Sequence, residues 1–256
     1  MENNNQGTTQ QEKDFLFTKN ICCPVCKGIF GTRVVKSGSL RRLEPDFDLR
    51  PRFRNIDTLK YEAYSCPHCG YSAMARYFDG LVKWQIERIK EKVCSNFKPA
   101  DSQVLETVDY QTAINRYKLA LYNADVKQGK LSEQAYTCLK ISWLYRSVAE
   151  EMPEGTAEEK AKKEEILKTQ EAFYKKAFEA FQKVISTEEF PICGMDSYTM
   201  DYLLAAMACH FKEYSYASKA VSNILASRTV DRRMKDKALD LKEVIVKGLK
   251  EESEEQ

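Results

Sequence analysis

The chain has 256 residues, 43% hydrophobic and 30% charged, with 40 Lys and Arg against 38 Asp and Glu. That length supports one large domain or two smaller ones with cores of their own. The near balance of charge excludes a global pull toward nucleic acid or acidic lipid and leaves only local charged interactions.

Met1 to Lys13 is Asn- and Gln-rich, with no hydrophobic stretch for secretion, and no apolar run approaches the roughly 18 residues that span a bilayer. A cytoplasmic protein with no membrane partner is expected. Thiols stay reduced there, so the nine cysteines read as metal ligands plus buried side chains rather than as disulfides.

In chain order, residues 1–13 are too polar to offset the entropy of ordering and are expected to form a disordered tail. Residues 14–78, where Cys, Pro, Gly and Arg cluster, form a small β-rich unit with strand-like runs at 29–35 and 61–65. After Asp79-Gly80, Val82, Ile86, Ile89 and Val93 recur at i, i+4, i+7 and i+11 and predict a connecting helix over 79–98.

Pro99 interrupts, and the pattern is then helical to about residue 250, followed by an acidic tail at 251–256. Ala113, Ile114, Tyr117, Leu121 and Ala124 make one apolar stripe ending near Gly129. Ser132 can cap the next helix, which carries Ala135, Leu139, Trp143 and Val148. Thr156 and Glu159 form a capping box that opens a long helix with Ile166, Phe173, Ala177, Phe181 and Val184 on its stripe. Phe190-Pro191 and Cys193-Gly194 mark a turn. Three more helices follow over 197–211, 215–227 and 231–248, about six after the connector.

Small and large residues alternate one turn apart at Ala135/Leu139, Ala177/Phe181 and Ala217/Val221, with offsets of 42 and 40 residues. In a helical hairpin repeat the small residue lets two helices approach and the larger one fills the gap to the neighbour. The stretch resembles the tetratricopeptide pattern, with an irregular helical bundle as the alternative. The fold class expected is α+β: a small zinc-ribbon-like head at 14–78, then an all-α tetratricopeptide-like helical hairpin domain at 99–250.

Two Cys-x-x-Cys pairs, Cys23/Cys26 and Cys66/Cys69, lie 39 residues apart, each closely followed by a glycine, Gly28 or Gly70. This is the zinc-knuckle pattern. Proline fixes φ, glycine accepts a positive φ, and backbone amides can point at the sulfurs. Two facing knuckles supply four thiolates in a tetrahedron, which suits one structural Zn²⁺ with no open position for substrate; iron would fit the same sulfurs.

Cys-Pro-His-Cys is also a redox tetrapeptide, but no βαβ pattern surrounds it here. His68 reads as a bystander facing solvent. Cys94, Cys138, Cys193 and Cys209 read as packing residues.

Between the pairs, Arg33, Lys36, Arg41, Arg42, Arg50, Arg52, Arg54 and Lys60 are interleaved with Phe47, Phe53, Glu44, Asp46, Asp48 and Asp57. Basic and aromatic residues on a zinc ribbon can grip nucleic acid. The acids can instead pair with the arginines and order the loop, which is the reading favoured here. Asp46 and Asp48 alone are too few to hold a hard cation.

Cys-Pro-Val-Cys, the Glu44-Pro45-Asp46-Phe47-Asp48-Leu49 segment, and Tyr64 leading into Cys-Pro-His-Cys-Gly-Tyr71 together resemble the bacterial family designated domain of unknown function 2225. The resemblance implies a zinc-ribbon-like head with helical repeats, and Cys23, Cys26, Cys66 and Cys69 match the family's presumed metal ligands. It implies no activity. With two histidines, no zinc-hydrolase motif, no phosphate-binding glycine loop and no nucleophile elbow, no enzyme is expected. A zinc-stabilised scaffold or adaptor for a protein partner is the expectation, with a nucleic-acid-associated regulator as the alternative.

Overall fold

The structure, a computed structural model, describes residues 12–99 and 104–254. The tail expected over 1–13 therefore falls largely outside the described residues. Its last two positions are engaged: Glu12 accepts from Tyr61 Oη at 2.8 Å and pairs with Lys60 at 2.6 Å, and Lys13 pairs with Glu106.

Among the described residues, four strands form two separate antiparallel hairpins: β1 (Leu16–Cys22) with β2 (Ile29–Val35), and β3 (Ala63–Ser65) with β4 (Ser72–Met74). The last pair of the first hairpin is Cys22 with Ile29, and that of the second is Ser65 with Ser72. Each Cys-x-x-Cys thus occupies the connecting loop of its own hairpin. The run expected to begin at Tyr61 starts as strand only at Ala63, because Thr58–Tyr61 winds into a short 3-10 turn capped by Asp57.

The connector is α1 (Lys83–Lys92). Ile89 and Val93 are buried as expected, but Val82 lies half exposed at the helix start, where its N–H donates to Gln85 Oε1 at 3.2 Å. Six helices follow among the described residues: α2 (Tyr110–Val126), α3 (Leu131–Glu151), α4 (Ala157–Thr187), α5 (Ser197–His210), α6 (Tyr214–Ala226) and α7 (Arg232–Glu254).

The capping box forms at α4, with Glu159 N donating to Thr156 Oγ1 at 3.2 Å and Thr156 N to Glu159 Oε2 at 2.9 Å. The turn after α4 closes with Cys193 and Gly194 both at positive φ, the geometry of a tight two-residue reversal.

Some sequence-based expectations need correction. Ser132 is not a cap: it sits buried inside α3, whose first turn starts at Leu131. α2 ends just before Gly129, as expected, and the left-handed residue there is Gln128 (φ 50). A Cβ at Gly129 would meet Glu133 Oε2 at 2.7 Å, so this glycine makes room for the buried Lys127–Glu133 pair, 2.8 Å apart. α7 also continues through Glu251–Glu254, four of the six residues assigned to a tail.

All six positions of the small/large alternation are buried, from Ala135 and Leu139 to Ala217 and Val221. Helices α2 and α3 pack as one hairpin, and α5, α6 and α7 pack successively. The middle copy departs from a hairpin repeat, because Ala177 and Phe181 lie on the 31-residue α4, which follows α3 with no helix between. The fold is a small β-hairpin head followed by helices.

Packing divides the chain into two compact units. The first comprises residues 1–44 and 51–177, so it joins the head to α1, α2, α3 and the first part of α4. The second comprises residues 45–50 and 178–256. The composition boundaries near 78 and 98 are not where packing draws its line. In the first unit Tyr117, fully buried on α2, donates to the Leu59 carbonyl at 3.0 Å, and Val108 N donates to Tyr61 Oη at 3.1 Å. In the second, Phe178 stacks on Phe211 and meets Tyr216 edge-on, and Phe47 meets Tyr202 edge-on.

Candidate metal centre

The two knuckles share one hydrogen-bonded frame. In the first, Cys23 N donates to Gly28 O and Lys27 N to Cys23 O, both at 2.9 Å. In the second, Cys66 N donates to Tyr71 O at 2.8 Å and Gly70 N to Cys66 O at 2.9 Å. The loops have equal length, and the fifth residue of each is left-handed: Lys27 (φ 64) and Gly70 (φ 78). The Gly28 amide donates to Cys26 Sγ at 3.4 Å, and the Tyr71 amide likewise serves Cys69.

These frames bring Cys23, Cys26, Cys66 and Cys69 together, each Sγ within 4.8 Å of the others. Across the knuckles, Cys23 Sγ lies 3.7 Å from Cys69 Sγ and Cys26 Sγ 3.6 Å from Cys66 Sγ. A tetrahedron with metal–sulfur bonds of about 2.3 Å has edges of about 3.8 Å. The sulfurs therefore fit a single tetrahedral metal ion, and soft thiolates are the donors that such an ion prefers.

Protonation points the same way. Hydrogen bonds with Cys23 and then Cys69 bring the Cys66 thiol down to about 4, whereas contacts with Cys23 and then Cys66, followed by burial, push Cys69 up. Thiols this close cannot all ionise unless a cation offsets their mutual repulsion.

Cys23, Cys66 and Cys69 are buried, and Cys26 is at the surface. The three buried ones share one apolar core with Val25, Phe30, Tyr71 and Phe78 of the head, Ile89 and Val93 at α1, and Val126 at the end of α2. Phe78 is its aromatic hub, with ring contacts to Phe30, Tyr64 and Tyr71. The cluster thus joins strands and helices in one packed unit.

The site also contains relations that residue types alone do not show. Gly28 is not the left-handed residue of its knuckle. It lies beneath His68, where a Cβ would meet Cδ2 at 2.7 Å. His68 faces solvent, as expected, but its Nε2 is 3.2 Å from the Ile29 carbonyl and so ties the second knuckle to the first hairpin. Gly70 has Phe97 pressed on it, at 2.5 Å from a Cβ position. The one signal in the sequence that could flag these covers is the glycine in each loop.

Of the remaining cysteines, Cys138 and Cys209 are buried, which pushes both thiols up to about 11. Cys94 is partly buried against the core that holds the cysteine cluster, and Cys193 is partly buried in its turn.

Residues 16–245 match the profile of a family described as "Uncharacterized protein conserved in bacteria (DUF2225)". The chain belongs to that family. No curated protein and no solved structure matches it. The Glu44 to Leu49 segment, part of the resemblance, contributes its residues 45–49 to the second unit.

In that segment Asp46 N donates to Arg50 O at 3.0 Å and Leu49 N to Asp46 O at 2.9 Å, with Leu49 left-handed at φ 66. Arg50, 1% exposed, donates to Asp46 Oδ2 at 2.5 Å. Arg52 pairs with Glu150 at 2.7 Å, and Arg42 lies over the Phe53 ring. Asp46 and Asp48 belong to no metal-binding group among the described residues. None of those residues forms a helix long and apolar enough to cross a membrane.

Proposed function

We propose that the protein is a cytoplasmic, zinc-stabilised scaffold or adaptor that binds a protein partner through its helices and is not an enzyme. The closed four-sulfur cluster carries this reading. All four ligand positions can be filled by cysteines, three of them rooted in a core shared with α1 and α2, so the ion's work is to hold structure rather than to activate water or substrate. Zinc, with no geometric preference of its own, suits such a site better than iron.

Support for a protein partner comes from α7. Its buried stripe is Ala238, Leu241, Ile245 and Gly248. A second stripe, Leu239, Val246 and Leu249 at i, i+7 and i+10, lies 39–49% exposed. Amphipathic helices are ordinarily apolar on one side only, and an additional apolar line is the kind of surface that another protein covers. The test is co-purification with nuclease present. The proposal expects a partner retained by the wild type and lost from Leu239→Lys/Val246→Lys with the fold intact; a partner that disappears on nuclease treatment would refute it.

One observation favours the alternative, a nucleic-acid-associated regulator. Arg41 and Arg54 are neighbours across an antiparallel pairing, with Arg54 N donating to Arg41 O at 3.0 Å. They line a cleft of about 490 Å³ with Phe15, Ser39 and Asn55. Each phosphate contact adds about 0.7 to the slope of log affinity against log salt for a single strand, so alanine at both positions would lower a measured slope by about 1.4.

A further inference from the structure

The chain between α1 and α2 presses onto the head at two glycines. A Cβ at Gly31 of β2 would meet Val104 Cγ2 at 2.7 Å, and one at Gly70 would meet the Phe97 ring at 2.5 Å. Beside these two contacts lies a cavity of about 270 Å³, all of it within the first unit. Its apolar wall includes Phe30, Phe97, Val104, Leu105 and Leu119. Close approach at the two glycines shapes that wall, so the space is built by packing rather than left by an absent side chain.

Its polar lining carries two arginines, Arg33 and Arg116, beside Thr32, Ser65, Ser72 and the cluster cysteine Cys66. Arg33 is held in place, with Nε on the Leu105 carbonyl at 3.2 Å and a terminal nitrogen on Thr18 Oγ1 at 3.1 Å. Arg116, from α2, is partly buried and has no hydrogen-bond or ion-pair partner among the described residues. Burial pushes its guanidinium below the usual range, an effect that Tyr61 and then Asp109 partly offset. Ser65 and Ser72 add hydroxyls, 2.8 Å apart, with Ser72 donating. An arginine desolvated with no carboxylate in direct contact is costly, and an incoming anion that pairs with it recovers that cost. A cavity with mostly apolar walls and a few convergent polar groups is the usual form of a small-molecule site.

We infer that this cavity binds a small organic monoanion with an apolar body, its charge held by Arg116 and its body by Phe97, Val104 and Leu119. One arginine with no directly bonded partner among the described residues matches a single carboxylate, whereas the apolar walls give a bare phosphate or sulfate nothing beyond charge. This site is independent of the scaffold reading: it requires neither the α7 surface nor a macromolecular partner.

The test uses the full-length, metal-loaded protein, isotope-labelled for amide NMR. It is titrated with phenylacetate, octanoate, phenylacetamide as the uncharged counterpart, and inorganic phosphate. At least one carboxylate should saturate at one site and shift the amides of Gly31, Gly70 and Leu119. Phenylacetamide should bind at least about tenfold more weakly than phenylacetate, the scale of losing one charge-assisted hydrogen bond. Arg116→Gln should reproduce that loss with the rest of the spectrum unchanged, and Leu119→Trp, which fills the space, should abolish binding.

The inference fails if neither carboxylate saturates at millimolar concentration, or if the amide binds as well as the acid. It fails equally if inorganic phosphate competes as strongly as phenylacetate. The acid-against-amide comparison needs no variant, so it decides the matter even if Arg116→Gln does not fold.

Discussion

The two knuckles build the same frame by different means, and the difference separates what a metal loop requires from what its surroundings require. Both need a left-handed fifth residue. The second supplies Gly70, which bears no penalty there, and the first uses exposed Lys27 at φ 64, a conformation that costs a side-chain-bearing residue about 1–2 kcal/mol. Both loops also carry a closely approaching cover. Over the second it is Phe97, resting on the same Gly70; over the first it is His68, resting on Gly28 one position later. In one loop a single glycine meets both demands, and in the other they fall on adjacent residues.

The largest break is loss of a ligand. Cys66→Ser should abolish metal binding, and because Ile89, Val93 and Val126 share the cluster's core, disorder should spread from both knuckles into α1 and the end of α2. Hydrogen exchange resolved by segment checks this. Protection lost only within 23–28 and 66–71 would mean that the cluster does not support the helices. Chelation of the metal from the wild type should give the same map.

Next in size is Gly70→Ala. It places a Cβ against the Phe97 ring at a left-handed position, which should cost about 2–4 kcal/mol by combining overpacking with backbone strain. Gly28→Ala should cost less, about 1–2 kcal/mol, because the obstructing atom is on exposed His68, which can swing away. His68→Ala made together with Gly28→Ala should recover most of that loss, whereas His68→Ala should do nothing for Gly70→Ala. Denaturant unfolding of the three single variants and the two doubles measures both couplings.

The smallest effect has the opposite sign. Lys27→Gly relieves the left-handed strain but adds unfolded-state entropy, so a net gain of about 0.5 kcal/mol is expected. A loss would show that the Lys27 side chain contributes something that the backbone argument omits.

Much of this architecture is legible in the amino-acid sequence. The Cys-x-x-Cys pairs name the four cysteines that the fold brings together, because the spacing that marks them is local. The helical stripes place α2 to α7 within a few residues, since each buries a face that repeats along the chain. β1 and β4 escape such a reading because each is recognisable as strand chiefly through the partner across its knuckle. Gly28 misleads for a related reason: a glycine that serves a positive φ and one that serves a close approach look alike until the covering residue, here His68, is known. The regrouping of Pro45–Arg50 with the carboxy-terminal unit depends on contacts between residues far apart in the chain, and no local pattern encodes those.

The central claim is that one zinc ion closes the four-cysteine cluster. X-ray absorption at the zinc edge, with elemental analysis of the same purified sample, tests it most directly. The account predicts close to one zinc per chain with four sulfur neighbours at about 2.3 Å and no nitrogen or oxygen in the coordination shell. A folded chain without metal, one carrying iron, or a zinc with fewer than four sulfurs would contradict it.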